Sequence, residues 1–163
     1  MTTKNRWKIL QKKYRPNVAA IIVSSRYPNA CEFFVAQRAD IKGVWQFPQG
    51  GIDANETPKE ALLRELKEEI GTDFVEIIAE CPKWISYDFP NIATKKMYQY
   101  DGQIQKYFLV RIKKESDINL DTAHPEFISY QFVKYDALLE LVNHFKKNVY
   151  KEVLDYFKKE GYL

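Results

Sequence analysis

Gly50-Gly51-Ile52-Asp53-Ala54-Asn55-Glu56-Thr57-Pro58-Lys59-Glu60-Ala61-Leu62-Leu63-Arg64-Glu65-Leu66-Lys67-Glu68-Glu69-Ile70-Gly71 is the stretch on which the fold turns. Its second half predicts a helix over residues 58–70, bounded at both ends. Thr57 can cap the first turn, Glu60 completes a T-x-x-E capping box, Pro58 suits the first helical position, and Gly71 ends the helix. At ~100° per residue from Glu65, the residues Leu62, Leu66, Ile70 and Leu63 fall between about 60° and 160°, a core-facing stripe. Glu65, Glu68 and Glu69 span about 300° to 40°, which places them at the rim of the core and not on the outermost face. Like charges three and four residues apart oppose the helix by about 0.2 to 0.5 kcal/mol per pair, so a positive charge is expected nearby. A solvated acidic face is the commoner role for helix glutamates. The alternative is a metal site, where oxygen donors without neighbouring histidine or cysteine suit a hard cation such as Mg²⁺ or Mn²⁺.

Outward from this helix, β-branched and aromatic runs predict strands at residues 18–24, 31–37, 75–81, 84–89, 105–112 and 129–133. Asp101-Gly102 reads as a tight turn, and helical periodicity returns at residues 136–142 and 144–160. Strands and helices mix without regular βαβ alternation, which argues for an α/β sandwich on a mixed sheet. At 163 residues the chain has room for one domain. Residues 1–13 read as a basic, flexible N-terminal extension before a domain over residues 14–163.

Hydrophobic residues at 45% and charged residues at 29% give the profile of a soluble globular protein. No apolar run suits a signal peptide or a membrane span, so a cytoplasmic protein is expected, with no membrane partner and no obligate protein partner. Cys31 and Cys81, the two cysteines, read as buried reduced thiols. A net charge of +3 does not announce a nucleic-acid binder. Its distribution says more. Lys4, Arg6, Lys8, Lys12, Lys13 and Arg15 crowd one end, Lys146, Lys147, Lys151, Lys158 and Lys159 the other, and a glutamate-rich middle lies between. Such flanks attract a polyanion and place it beside a cation-binding centre; a frayed terminus and a solvated helix face are the bland alternatives.

Gly50, Glu56 and the run Arg64-Glu65-Leu66-Lys67-Glu68-Glu69-Ile70-Gly71 resemble the Nudix box at the family's spacing, departing only at Thr72, where an aliphatic residue is favoured. The resemblance implies an α/β/α sandwich, the box folded as loop, helix and loop, and metal-dependent attack of water on a phosphoanhydride. Tyr14-Arg15-Pro16-Asn17-Val18, Trp45-Gln46-Phe47-Pro48-Gln49-Gly50-Gly51, Pro125-Glu126-Phe127 and Phe145-Lys146-Lys147-Asn148-Val149-Tyr150 are similar to bacterial RNA 5′-pyrophosphohydrolases and the related dinucleoside polyphosphate hydrolases. By that resemblance Glu65, Glu68, Glu69 and Glu126, with the Gly50 backbone, hold Mg²⁺, for which Mn²⁺ can substitute. Glu68 or Glu69 serves as general base, and Arg64 orients the glutamates. Glu56 buttresses the loop, and Gly71 closes the motif. Arg15 and Lys146 clamp phosphates, the first as a rigid fork and the second as a mobile point charge. Gln49 approaches the metal-phosphate cluster, and Phe145 stacks on a base. His124 and His144 receive no catalytic role. The expected substrate is a triphosphate RNA 5′ end, with diadenosine tetraphosphate-type dinucleotides second. A non-catalytic binding module would be marked by loss of acidic ligands, and all four are present.

Overall fold

The fold is that of a computed structural model, which describes residues 12–90 and 99–163. Most of the basic extension expected over residues 1–13, including Lys4, Arg6 and Lys8, lies outside the described residues. Among the described residues eight strands make one sheet: β1 (Tyr14–Val23), β2 (Phe33–Arg38), β3 (Trp45–Gln46), β4 (Gln49–Gly51), β5 (Val75–Glu80), β6 (Ile85–Asp88), β7 (Gly102–Ile112) and β8 (Phe127–Val133). Among the described residues the α-helices are α1 (Pro58–Ile70), α2 (Tyr135–Leu141) and α3 (Lys147–Lys159).

β1 and β7 run parallel through ten residue pairs, from Tyr14↔Gly102 to Val23↔Arg111, and form the spine of a mixed sheet. Each shares its other edge between two partners. β1 pairs antiparallel with β4 over Asn17, Val18 and Ala19 and meets β2 at Val23. β7 pairs with β6 near its start and with β5 near its end. Side chains alternate across this spine. Ala19, Ile21, Val23, Tyr107 and Leu109 face Leu138 of α2 and Val153, Leu154 and Phe157 of α3. Val18, Ala20, Ile22, Phe108, Val110 and Ile112 face Leu62, Leu66 and Ile70 of α1. Helices therefore cover both faces, which is the expected α/β/α sandwich, and burial on both faces explains why β1 reads as a continuous apolar run.

The boundaries differ where tertiary pairing overrides local pattern. β1 begins at Tyr14, four residues before the expected start, because β7 supplies backbone partners to its polar first residues. Two short strands that the local pattern did not predict, β3 and β4, precede α1; the glycines of β4 have poor strand preference, but β1 pairs with them. Gly102 is not the second residue of a free turn but the first of β7, where a Cβ would overlap the Tyr87 carbonyl. The last helix starts at Lys147, and His144, Phe145 and Lys146 form the turn before it. Both cysteines are free, but only Cys81 is buried, Cys31 being half-exposed. Among the described residues no helix is long and apolar enough to cross a membrane.

α1 has the ends its sequence predicts. Glu60 N–H donates to Thr57 Oγ1 at 3.2 Å, Thr57 N–H donates to the Glu60 carboxylate at 3.0 Å, and Gly71 takes a left-handed φ of 79°. Thr57→Ala is expected to lower stability by about 1 kcal/mol, read as a drop in thermal midpoint, with kinetic constants unchanged.

Candidate functional site

α1 packs across β1 and β4, and its acidic arc emerges at the edge of β4. Leu66 and Ile70 are buried beneath it. The three glutamates form a gradient and not a uniform rim. Glu69 is only 7% exposed, the Glu65 side chain 15%, and the Glu68 side chain 60%, so Glu68 stands further into solvent than the helical wheel suggests.

Arg64 sits among these acids. Its Nη1 donates to Glu65 Oε1 at 2.8 Å and Glu68 Oε2 at 3.3 Å, while Nε and Nη2 grip the Glu56 carboxylate at 2.6 and 2.8 Å. Nη2 also donates to the Gly51 carbonyl at 2.9 Å. Glu56 in turn accepts from Asp53 N–H at 2.9 Å, which ties the loop before α1 to the helix. The Arg64 guanidinium pulls the Glu56 carboxyl down to about 2, and Glu56 pushes the guanidinium higher still.

β4 supplies the second element. Consecutive strand residues face opposite ways. A Cβ on Gly50 would overlap the Glu65 carboxyl, and one on Gly51 would overlap the Arg15 guanidinium. The bare backbone thus lets a carboxylate press on one face and a guanidinium on the other. Gln49 N–H donates to Glu69 Oε2 at 3.3 Å.

Burial, then the neighbouring Glu65 and Glu126 charges, push the Glu69 carboxyl well above its usual range. Burial likewise raises Glu65, with Arg64 opposing. Two desolvated carboxyls facing like charge are stabilised by a cation. Among the described residues no three acidic, histidine or cysteine side chains converge into a ready-made metal cage. Instead Glu65, Glu68, Glu69 and Glu126 all line an open cleft of about 640 Å³. An all-oxygen set of this kind fits a hard divalent ion that completes its shell with water and substrate phosphate.

Arg15, Gln49, Phe145 and Lys146 line the rest of the cleft. Phe145 is 45% exposed, its ring centroid 5.3 Å from that of Tyr87, so it is a wall residue and not core. Lys146 is not the mobile charge its type suggested. It is 4% exposed, its Nζ donates to Gln49 Oε1 at 2.7 Å, and the ammonium lies 5.6 and 6.0 Å from the Tyr87 and Phe145 ring centroids. Burial holds it down to about 7. His144 lies behind this wall with Nε2 2.8 Å from the Trp45 carbonyl oxygen, and burial lowers its pKa. His124 is exposed. Thr72, at the position where the family favours an aliphatic residue, is buried and its Oγ1 accepts from Phe74 N–H at 3.1 Å.

Sequence reasoning did not single out Asn17, Tyr87, Gln103, Gln105 or Arg38, four of which line the cleft while Gln105 lies beneath it. The available signal was Gln103 and Gln105, two amides on one face of a strand whose continuation is apolar.

A NUDIX domain model matches residues 13–153. The RNA pyrophosphohydrolase of a Nitratiruptor species is 66% identical, the alignment covering 94% of this chain and 99% of that protein. That of Helicobacter pylori is 59% identical, over 95% of this chain and all of its own. Among solved structures, a C. elegans Ap4A hydrolase binary complex superposes with TM-score 0.64 at 16% identity, over 88% of this chain and 99% of that one, a likeness of fold. With the box glutamates, the two-glycine strand and the cleft arranged as described, and with near full-length relatives of this identity, the chain belongs to the NUDIX domain family and is a Nudix hydrolase.

Proposed function

We propose that this hydrolase is a cytoplasmic RNA pyrophosphohydrolase, converting triphosphate or diphosphate RNA 5′ ends to monophosphate ends and so opening them to decay nucleases. The carrying observation is one cleft lined by the four carboxylates together with Arg15, Lys146 and an exposed aromatic ring. A polyphosphate fits between them with its attached base on the ring. Mg²⁺, with Mn²⁺ as substitute, would be held by Glu65, Glu68, Glu69, Glu126 and the Gly50 backbone, and supplies charge neutralisation on the phosphates and acidification of the attacking water. Arg64 keeps Glu65 and Glu68 in place through the contacts above. Glu68, open to solvent, or Glu69, with its raised affinity for a proton, would accept the proton of that water. Arg15 grips phosphate as a fork and Lys146 as a fixed charge.

Hydrolysis of dinucleoside polyphosphates is the second reading, because the same cleft can take a second nucleoside. RNA is preferred on the names of relatives at 59–66% identity, the Ap4A hydrolase likeness being one of fold at 16%. A side-by-side assay of 5′-triphosphorylated RNA and diadenosine tetraphosphate at equal enzyme and Mg²⁺ decides. Faster turnover of RNA is expected, and faster turnover of the dinucleotide would replace this reading. Phe145→Ala is expected to weaken apparent RNA affinity by the ~1 to 3 kcal/mol of a base stack. A mononucleoside triphosphate should suffer less, and melting should change little because the ring is half in solvent. Equal loss on both substrates with early melting would refute the stacking role.

A further inference from the structure

We infer that Gln105, which has no exposed surface, is a positioning residue for the cleft: it turns the Gln49 amide so that its oxygen faces Lys146, and thereby fixes the ammonium at the phosphate end of the cleft. The inference rests on the reading that the cleft takes a phosphate chain.

The argument follows from which groups can only donate. In its charged form, the form that grips phosphate, Lys146 Nζ is donor-only, so the Gln49 atom 2.7 Å from it is the side-chain oxygen. With that oxygen turned inward, the Gln105 atom 3.0 Å from it must be Nε2. The same nitrogen donates to Asn17 Oδ1 at 3.0 Å. Gln105 Oε1 then remains for the Tyr107 hydroxyl, which donates to it at 2.7 Å. Tyr107, Gln105 and Asn17 are each at most 1% exposed, so water cannot substitute for a lost partner. Flipping the Gln105 amide would bring its oxygen against three acceptors, Asn17 Oδ1, Gln49 Oε1 and Gln103 Oε1. Gln49 is held on its other side too, its Nε2 donating to Gln103 Oε1 at 3.3 Å. A satisfied buried network of this kind specifies one arrangement. Its outlet is the Gln49 oxygen, the one hydrogen-bond acceptor recorded for the Lys146 ammonium among the described residues. The pairing that makes it possible is set by the spine, since Asn17 and Gln105 are direct register partners, as are Ala19 and Tyr107.

A double-mutant cycle tests this on whichever of triphosphorylated RNA or diadenosine tetraphosphate the wild type hydrolyses faster, so that a failed substrate reading shows in wild-type preference and leaves the cycle intact. Gln105→Met keeps the side-chain volume and removes the amide. It should raise KM roughly three- to tenfold with kcat changed less than about twofold, as loss of one hydrogen bond's worth of ordering implies. In a Lys146→Ala background the same substitution should change kcat/KM by less than about twofold, because there is no ammonium left to misplace. Tyr107→Phe, which preserves shape and removes the donor that holds the Gln105 oxygen, should act in the same direction by a smaller factor and vanish in the same background. It reads the same coupling should Gln105→Met fail to fold. Equal factors with and without Lys146, or a lowered melting temperature with unchanged KM, would overturn the proposal and leave Gln105 a packing residue.

Discussion

Glu69→Gln is expected to reduce kcat by at least ~10² while raising the thermal midpoint at neutral pH. The kinetic loss follows if the carboxylate holds the metal or accepts the proton, since a neutral amide oxygen is a weaker ligand for Mg²⁺ and cannot act as a base. The stability gain follows from burial. Glu69 is 7% exposed, its recorded hydrogen bond is the 3.3 Å contact from Gln49 N–H, and Glu65 and Glu126 add like charge. Its folded pKa is raised, so its contribution to stability is fully present below the ordinary carboxylate range and is lost as pH rises through the folded value. At pH 7 to 8 the wild type therefore carries strain that glutamine lacks, and the variant's advantage should grow from acid to neutral pH. Added Mg²⁺ should raise the wild-type midpoint more than the variant's. Turnover near wild type would remove Glu69 from the site, and a constant difference in midpoint across pH would remove the charge argument.

Gly50→Ala should be the second large effect, lowering kcat/KM by about 10² with the fold retained. The new methyl would overlap the Glu65 carboxyl, which is the far end of a flexible side chain and can swing away, so folding survives while the acid is displaced. Arg64 loses one of its acidic partners in that movement. Gly51→Ala, on the opposite face, displaces Arg15 instead and should act mainly on KM. Circular dichroism and melting establish that each variant folds. A Gly50→Ala, Glu65→Gln double variant should be little worse than Gly50→Ala alone; multiplied losses would show that the methyl acts elsewhere.

α1 was legible because everything that defines it is local: the capping box, the proline, the terminal glycine and the apolar stripe lie within fifteen residues. The strands were legible where both faces are buried, and not where their ends are polar. Gln105 illustrates why. A glutamine beside a lysine in a strand suggests a solvent-facing position, and its burial depends on Asn17, 88 residues away, lying opposite it across a parallel pair. Lys146 misled for a similar reason, since a lysine in a basic stretch is normally solvated and only the Tyr87 and Phe145 rings with the Gln49 oxygen make an enclosed place for it. Glu126, on an exposed loop, came from family resemblance alone, and nothing local marks it. The box helix could be derived from physics, whereas the far wall of the cleft needed the fold.

The parallel pair at the centre of the sheet also divides its labour lengthwise. In β1 the residues Arg15 and Asn17 serve the cleft side, and from Val18 onward every residue is core; in β7 Gln103 and Gln105 precede Tyr107 through Val110 in the same way. The register sets Arg15 beside Gln103 and Asn17 beside Gln105 at the leading ends, and Ala19, Ala20, Ile21 and Ile22 beside Tyr107, Phe108, Leu109 and Val110 further on. An evolving lineage can therefore retune what the cleft accepts by exchanging side chains at the leading ends of two strands, while the trailing ends keep the molecule assembled.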